Sequence, residues 1–359
     1  MIREWKGVKR GKLKHKPKRL AVRRRFSCKL PVLCALLCLL VTFLLPLGLL
    51  LSGEIALPHT DALPFLRPAG EELPDAGTRD SAIELTVRLD GTDKTMTMGE
   101  CLWGVVAAEM PASFDLEALR AQAIAARTYT LYRMANPCEA HPEADICGDP
   151  GCCQAWMSRK DRLADWEADG AKTYEEKVTQ AVRSTDGMAL YYQGEPILSA
   201  FHAASAGSTK SALEVWGEDY PYLQEVKSPE DEALVPDYYS TVTVSRKRFA
   251  KKLKKAHPEV DLSAKDCAKW FGAVEKDPAG LPVSIEVGGV KVDTVELRTL
   301  FKLRSASFTV EAKDDNITFY VTGYGHGVGM SQYGARALAA EGKTAEEILA
   351  WYYPGAELR

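Results

Sequence analysis

The chain has 359 residues, and its 46% hydrophobic and 26% charged content is that of an ordinary globular protein. The formal net charge of -3 hides an asymmetry, because residues 1–29 contain 13 Lys and Arg residues and one Glu. The tail therefore carries +12 and the remainder -15. Outside the tail, this balance excludes the sustained positive surface that nucleic-acid binding requires.

The basic tail is followed by an uncharged apolar run at 30–51, LPVLCALLCLLVTFLLPLGLLL. A helix needs about 20 apolar residues to cross a bilayer, whereas the apolar core of a cleavable signal peptide has roughly 7–15. We therefore expect an uncleaved transmembrane anchor, with a cleaved signal as the alternative. Because the Lys and Arg residues flank one side only, residues 1–29 are predicted to be cytoplasmic and the remainder extracytoplasmic.

Residues 52–80 contain four prolines and read as a linker, so residues 81–359 are predicted to form the globular ectodomain. Its fold class is predicted as α+β, because helices and strands alternate without a regular βαβ rhythm. Thr97 and Glu100 form a capping box that begins a helix at Met98. Further helices are expected at about 115–134, 172–184, 247–256, 331–341 and 344–352, strands at 81–90, 188–193 and 196–203, and a more β-rich subdomain at 236–320.

Glu109 is the first candidate catalytic residue. From Leu102, the steps to Val105, Val106 and Glu109 are three, four and seven residues, so Glu109 shares the apolar stripe of its helix. Burial and the negative end of the helix dipole both favour a protonated carboxyl, which a general acid requires. The alternative is a Glu at the rim that reaches water or pairs with an arginine such as Arg127.

Four potential metal ligands follow within 13 residues: His141, Cys147, Cys152 and Cys153. Three thiolates and one imidazole make a complete tetrahedral set for zinc, and a set of four protein ligands leaves no open position, which indicates a structural ion. Disulfides are the alternative, for example through Cys138, because the expected location is oxidising.

Two loops rich in small residues are candidate walls of a binding cleft. The first, FHAASAGSTK at 201–210, contains Ser205 and Lys210 and follows a predicted strand. The second, GYGHGVGMSQYG at 323–334, lacks the spacing of a nucleotide-binding loop. Its polar residues suit hydrogen bonding to sugar hydroxyls, namely His326, Ser331, Gln332 and Tyr333. The alternatives are an ordinary polar turn for the first loop and a structural histidine in the second.

Taken together, these segments resemble the SpoIID/LytB group, which comprises stage II sporulation protein D and the autolysin-modifier proteins. The likeness covers most of residues 81–359. It is carried by WGVVAAEMPASFDLEALRAQAIAARTYTL at 103–131, HPEADICGDPGCCQAW at 141–156, the SALEVWGEDYPYLQ region at 211–224, and GYGHGVGMSQYGARALAAEGKTAEEILAWYYPGAEL at 323–358.

The resemblance implies a membrane-anchored lytic transglycosylase, which in a sporulating host would act on the mother-cell side of the septum. Such an enzyme cleaves the bond between N-acetylmuramic acid and N-acetylglucosamine in glycan strands without peptides. It implies Glu109 as the acid/base and Arg127 as a substrate-binding residue. It also implies two partners, the amidase stage II sporulation protein P and the membrane protein stage II sporulation protein M. Some members bind zinc with a His where this chain has Cys152.

Two other classes of function remain open at the level of the sequence. One is a wall-binding protein without catalysis that stimulates an amidase, as the autolysin-modifier branch suggests. The other is a zinc hydrolase that uses the cluster at 141–153, against which the complete ligand set argues. Glu109 on the buried face of its helix argues against the first class.

Overall fold

A computed structural model describes residues 74–166 and 168–359 of the chain. The basic tail, the apolar run at 30–51 and most of the predicted linker lie outside the described residues. Within the described ranges, no helix has both the length and the apolar character needed to cross a bilayer.

The described chain mixes helices with short strands, which confirms the α+β prediction. The α-helices are α1 (Met98–Glu109), α2 (Leu116–Ala135), α3 (Arg159–Asp165), α4 (Ala168–Arg183), α5 (Ala212–Trp216), α6 (Arg246–Ala256), α7 (Thr294–Phe301), α8 (Gln332–Ala340) and α9 (Ala345–Tyr352). Short 3₁₀ helices cover Asp80–Ala82 and Cys267–Trp270. The strands are β1 (Glu84–Leu89), β2 (Thr92–Thr97), β3 (Ile146–Cys147), β4 (Leu190–Tyr192), β5 (Glu195–Pro196), β6 (Phe201–His202), β7 (Tyr239–Ser245), β8 (Phe271–Lys276), β9 (Pro282–Val287), β10 (Val290–Asp293), β11 (Phe308–Lys313), β12 (Asn316–Thr322), β13 (Met330–Ser331) and β14 (Glu357–Leu358).

Helix α1 begins where its capping box predicts. The Glu100 amide donates to Thr97 Oγ1 over 3.3 Å, and the Thr97 amide donates to the Glu100 carboxylate over 2.9 Å. Both contacts satisfy amide groups that the first turn of a helix leaves without a partner. The apolar stripe of α1 is fully buried, so its last residue, Glu109, is brought to the edge of the core.

Helix α2 is the centre of the larger of two hydrophobic cores, and α1, α4, α8 and α9 all pack against it. The sequence predicts one buried face, whereas α2 is buried nearly all round between Ala118 and Leu131. Alanine side chains explain the difference, because their small size lets neighbouring helices approach α2 from several sides.

Short sheets surround this helical layer. Strands β1 and β2 form an antiparallel hairpin, and β3 pairs in parallel with β1. Strand β4 lies between β14 and β5, while β6 pairs in parallel with β13. A second hydrophobic core lies within residues 244–321, where the sheets β11-β12-β7 and β10-β9-β8 pack with α6 and α7. This core coincides with the stretch whose sequence is more β-rich.

Arg127 of α2 is fully buried and makes an ion pair with Asp80. Its Nε donates to Asp80 Oδ1 over 2.7 Å, one terminal nitrogen donates to Oδ2 over 2.6 Å, and the other donates to the Met188 carbonyl over 3.0 Å. All donor groups of the guanidinium are thus turned toward the protein interior. The expectation that Arg127 binds substrate is corrected to a structural role, and its suggested pairing with Glu109 does not occur.

Replacement of Arg127 by methionine should destabilise the fold, because it leaves the Asp80 carboxylate buried without its cation. We expect the free energy of unfolding to fall by about 3–5 kcal/mol. Urea denaturation followed by circular dichroism measures this change. The double variant Arg127→Met/Asp80→Leu should recover part of the loss, since neither charge is then buried alone.

The matched control is Arg79→Met, which breaks the exposed ion pair between Arg79 and Asp186. Its cost should stay below about 1 kcal/mol. Equal effects of the two single variants would contradict a special structural role for Arg127.

Candidate active site

A cleft of about 910 Å³ opens on the described part of the chain, with Glu109 in its wall. Its lining comes from segments that are far apart in sequence. They are the end of α1, part of α2, the loop before and after Cys152, the segment through β6, the α5 region, α7, the glycine-rich segment and the start of α8. The cleft therefore exists only once both hydrophobic cores have formed.

Glu109 is half-buried at the last position of α1 and faces this cleft. Its Oε1 accepts a hydrogen bond of 2.6 Å from the amide of Ala155. Burial raises the pKa of the Glu109 carboxyl above its ordinary value, although the Ala155 amide and the Gln332 side chain each lower that pKa by hydrogen bonding. The result is a carboxylic acid that holds its proton more tightly than an exposed glutamate and remains accessible from the cleft.

The side chain of Gln332 also hydrogen-bonds the Glu109 carboxyl. It is the first residue of α8, whose N-cap is Ser331, and only 5% of its surface is exposed. Its Nε2 donates to Oε1 of the buried Gln122 on α2 over 3.3 Å. This second contact fixes the amide group, so Gln332 presents a held donor to the Glu109 carboxyl.

His326 lines the same cleft and lies between two other rings. Its ring centroid is 5.5 Å from that of His202 and 5.4 Å from that of Trp216. Nδ1 accepts from the Val328 amide over 3.1 Å, and the Phe201 backbone also hydrogen-bonds the ring. Burial lowers the pKa of His326 to about 4, so the ring is neutral at pH 7. His326 therefore supplies an uncharged aromatic surface, with its nitrogens already engaged.

Backbone conformation explains the glycines on either side of His326. Gly325 and Gly329 have φ angles of 118° and 70°, which favour glycine. A Cβ at Gly329 would lie 1.9 Å from the Ala200 carbonyl oxygen, and one at Gly325 would lie 2.6 Å from the Cβ of His202. These glycines let the segment run close to β6, which sets the His326 ring against the cleft.

The four predicted metal ligands come together in the structure. The ligand atoms of His141, Cys147, Cys152 and Cys153 all lie within 4.8 Å of one another. In a tetrahedral zinc site with 2.3 Å bonds to sulfur, ligand atoms are separated by about 3.8 Å. Nδ1 of His141 lies 3.2 Å from the Ala144 carbonyl, which leaves Nε2 toward the cluster, 3.3 Å from Cys153 Sγ. The arrangement fits one tetrahedral ion.

No disulfide links the cysteines within the described residues. Cys138 comes close to the cluster, with its Sγ 3.5 Å from that of Cys152, which is well beyond a disulfide bond length. The structure thus favours the metal interpretation of the cluster over its disulfide alternative, with Cys138 as a neighbour of the four ligands.

The cluster is tied to Glu109 through the residues that follow it. Ala155, the donor to Glu109, lies two positions after Cys153. Gln154 is buried and its Nε2 donates to Thr130 Oγ1 of α2 over 3.2 Å. A Cβ at Gly104 of α1 would lie 2.3 Å from the Trp156 indole, so the loop packs directly on that helix. The cluster, the loop and Glu109 therefore form one unit.

The sequence of the chain is similar to those of known proteins. The SpoIID family model, described as "Stage II sporulation protein", matches residues 91–192. Stage II sporulation protein D of Bacillus subtilis is 33% identical over 93% of this chain and 96% of its own length. The chain belongs to the SpoIID family. The Bacillus amyloliquefaciens protein of the same name is 35% identical over 74% of this chain and 75% of its own length. An amidase enhancer of Bacillus subtilis is 28% identical over 72% of this chain and 40% of its own length.

The segment that matches the SpoIID model contains Glu109 and all four ligands of the cluster. Gln332 and His326 lie outside that segment, although both line the cleft. The SpoIID model therefore covers Glu109 and the loop that hydrogen-bonds it, whereas the lining residues from Leu198 onward lie beyond the matched segment.

Two predicted substrate-binding serines instead belong to a buried network around Glu230. The hydroxyl of Ser331 donates to Glu230 Oε1, and the amide of Ser205 donates to the same oxygen over 2.6 Å. The Ser228 hydroxyl donates to Glu230 Oε2 over 2.5 Å. Ser205 and Ser331 are almost fully buried, so their predicted role in the cleft is corrected to a structural one.

Lys210 and Tyr333 are likewise outside the lining of the cleft. The Lys210 ammonium is buried, contacts the carboxylate of Glu214, and lies 3.4 Å from that of Asp277. The Tyr333 ring packs edge-on against Phe114, with 4.9 Å between ring centroids. Both side chains connect parts of the fold, so the prediction that they bind substrate is corrected as well.

Several residues of the cleft were not predicted from the sequence. Trp216 and Tyr324 are large rings that remain 40% and 48% exposed, and Tyr129, Tyr132, Arg133, Glu218, Tyr220 and Arg298 join them. Exposed aromatic rings suit the apolar faces of sugar rings. The aromatic run from Trp216 to Tyr222 was a usable signal, whereas nothing in the local sequence distinguishes Arg298.

Loss of the Gln332 amide should raise the pKa of Glu109. The variant Gln332→Met keeps the apolar volume but removes a hydrogen bond that favours the charged carboxylate, so its proton should bind more tightly. A ¹³C NMR titration of the Glu109 carboxyl measures the shift directly. Tyr333→Phe, which alters a neighbour without contact to Glu109, is the control. An unchanged or lowered pKa in Gln332→Met would show that Gln332 does not act on the carboxyl.

Proposed function

We propose that the chain is a peptidoglycan lytic transglycosylase that cleaves peptide-free glycan strands during the cell-wall remodelling of sporulation. In this proposal the bond between N-acetylmuramic acid and N-acetylglucosamine is broken, and the product carries a 1,6-anhydro ring. The observation that carries the proposal is the placement of Glu109, whose carboxyl has a raised pKa and faces an open, aromatic-walled cleft. Membership of the SpoIID family supports the sporulation context.

The chemistry follows from the two protonation states of Glu109. In its protonated form the carboxyl donates to the glycosidic oxygen while the bond to the anomeric carbon breaks. The resulting carboxylate accepts the proton of the muramic acid 6-hydroxyl, whose oxygen bonds to the anomeric carbon and closes the ring. Water is not consumed, and Glu109 is protonated again. The amides of Ala155 and Gln332 stabilise the carboxylate between these steps.

An intramolecular hydroxyl as nucleophile makes a second catalytic carboxylate unnecessary. A hydrolase normally needs a pair of carboxylates. Among the described residues, the other carboxylate of the cleft lining is Glu218, which accepts a 2.5 Å hydrogen bond from the Tyr220 hydroxyl. Asp115, the nearest candidate in sequence, is the residue before α2 and does not line the cleft. Glu218 is therefore the residue to test for hydrolysis.

A second candidate function is binding of the wall without cleavage, with stimulation of a partner amidase. The observation in its favour is the 28% identity to the amidase enhancer. Binding alone needs no carboxyl group with a raised pKa at the cleft wall, which is why transglycosylation is preferred. The partners proposed for either function are stage II sporulation protein P, an amidase, and stage II sporulation protein M.

The His and Cys cluster is proposed to bind one structural zinc ion through His141, Cys147, Cys152 and Cys153. With four protein ligands, zinc would cross-link the loop rather than activate water. The ion would thereby hold the Ala155 amide against Glu109, two positions beyond the last ligand. This use of the cluster argues against a zinc hydrolase.

The proposed location is the cell membrane, with a single anchor at residues 30–51 and the described residues outside the cytoplasm. The support is the length of the apolar run and the basic tail before it. In a sporulating host, the resemblance to sporulation proteins further suggests the mother-cell side of the septum, and we include this location in the proposal.

The variant Glu109→Gln tests the catalytic proposal. We expect cleavage of peptide-free glycan strands by the full-length chain to fall by about 10²- to 10⁴-fold, because the amide cannot donate an acidic proton. Mass spectrometry of the products should find 1,6-anhydro ends with the wild type. The thermal stability of Glu109→Gln should not fall, because a neutral amide still accepts from Ala155 and burial disfavours the charge that it replaces.

The control is Glu218→Gln, which should retain the cleavage reaction. Reducing ends that are heavier by one water, together with an inactive Glu218→Gln, would contradict transglycosylation and establish a hydrolase. Intact strands that remain bound to the wild type would favour the stimulation of an amidase.

Metal removal should loosen the loop that carries Ala155. We expect about one zinc per chain by elemental analysis, and loss of that zinc together with a lower melting temperature in Cys147→Ser. Cys138→Ser is the matched control, because Cys138 adjoins the cluster without being one of the four ligands, and it should keep the metal. Full thermal stability of a metal-free wild-type chain would rule out a structural ion.

A further inference from the structure

Arg298 is a cation of the cleft without a counter-charge. It is half-buried on α7 and lines the same cleft as Glu109. Its Nε is buried and has no hydrogen-bond acceptor among the described residues. Burial lowers the pKa of Arg298, and Tyr324 rather than a carboxylate is the group that opposes this effect. A guanidinium taken partly out of water without an acidic partner is costly for the fold.

Among the described residues, no carboxylate acts on the charge of Arg298. Its neighbours His202 and His326 are neutral at pH 7, because burial, with a smaller effect of the positive charge of Arg298, lowers their pKa values to about 3 and about 4. Arg298 therefore acts electrostatically on the rings of His202, His326 and Tyr324 and has no ion-pair partner among the described residues. An anion that enters the cleft would meet it in a weakly polar environment, where charge-assisted hydrogen bonds are stronger than in water.

Arg133, the other arginine of the cleft lining, differs in this respect. Its Nε donates to the Tyr129 hydroxyl over 2.9 Å. Its guanidinium also lies over the rings of Tyr129 and Tyr132, at 5.2 and 5.9 Å from their centroids. The Arg133 guanidinium thus has partners within the protein, whereas the buried Nε of Arg298 has no acceptor among the described residues.

We propose that Arg298 binds a carboxylate of the glycan, namely the lactyl carboxylate that muramic acid exposes once its peptide has been removed. A guanidinium presents paired N–H donors that match the two oxygens of a carboxylate. In a peptide-bearing strand the same carboxyl is an amide, which carries no charge and adds bulk. The inference rests on the proposed function, because that function supplies muramic acid as the ligand.

Arg298 is then a specificity-determining residue rather than a catalytic one. It would bind peptide-free strands more tightly than peptide-bearing strands while Glu109 performs the chemistry. Helix α7 belongs to the second hydrophobic core, and α1, which carries Glu109, belongs to the first. In this proposal the second core therefore provides the residue that binds the free carboxylate, and the first provides the acid.

The test measures binding rather than cleavage. Binding by the full-length chain is measured in a Glu109→Gln background, with and without Arg298→Gln, by isothermal titration calorimetry. The probes are peptide-free strands, the same strands after their carboxyls are converted to amides, and a chito-oligosaccharide that lacks the lactyl group. We expect Arg298→Gln to weaken binding of the peptide-free strands by about 10- to 100-fold, as loss of hydrogen bonds to a charged group implies. Binding of the other two probes should remain within about twofold, which also shows that the variant folds.

The matched control is Arg304→Gln. Arg304 lies over the Tyr324 ring at 4.4 Å and is not part of the cleft lining, so its loss should preserve the discrimination. Equal weakening by both arginine variants would indicate a general charge effect and would overturn the assignment. Equal affinity of the Arg298-containing chain for native and amidated strands would overturn it too.

The outcome is separable from that of the proposed function. One outcome is that peptide-free strands bind in an Arg298-dependent way while the wild type forms no 1,6-anhydro product. This outcome would contradict the catalytic proposal and leave carboxylate recognition by Arg298 in place. Cleavage with anhydro products, but with no effect of Arg298 on the preference between strands, would contradict carboxylate recognition by Arg298 and leave the catalytic proposal in place.

Discussion

The hydrogen bond from the Ala155 amide to Glu109 is the contact on which the geometry of the cleft depends. Glu109 ends α1, where burial and the helix dipole both disfavour a carboxylate. A backbone donor offsets this cost only while the loop after Cys153 stays against the helix. Trp156 holds the loop from the other side, in space that a side chain at Gly104 would occupy. The loop itself contains little regular structure, since β3 covers only two residues, so the four ligands of the cluster are the means available to cross-link it.

The most distinctive residues of the C-terminal segment serve the interior of the protein rather than its cleft. Glu230 is buried and accepts hydrogen bonds from Ser205, Ser228 and Ser331, so that its charge is spread over several donors. A Cβ at Gly334 would lie 2.7 Å from Glu230 Oε2 and 1.9 Å from the Tyr352 hydroxyl oxygen, which explains the glycine. This network fixes the start of α8. Gln332, the next residue after Ser331, is therefore held in a position from which its side chain hydrogen-bonds Glu109. The glycine-rich segment thus contributes to the site by positioning Gln332.

Prediction from the sequence succeeded where one local signal sufficed. The capping box gave the start of α1, the apolar stripe placed Glu109 at the core edge, and ligand chemistry selected the four residues of the cluster. It failed for strand β2, Thr92–Thr97, because every residue there is exposed or half-buried and no alternation of apolar side chains exists. Arg127 was predicted to bind substrate because a sequence motif identifies the residue type but does not show whether its side chain points into the cleft or into the core. Its partner Asp80 is 47 positions away, and only the fold brings the two together.

The residues that line the cleft come from both hydrophobic cores of the protein. Glu109 and its donors belong to the helical core around α2, whereas α7 of the second core contributes the unmatched guanidinium of Arg298. Arg298 has no paired carboxylate among the described residues of the cleft, whether or not Glu109 is protonated. An anionic sugar would supply a negative charge to pair with Arg298 while Glu109 stays protonated. Binding of such a substrate is therefore compatible with a protonated Glu109, which is the form that the proposed cleavage requires.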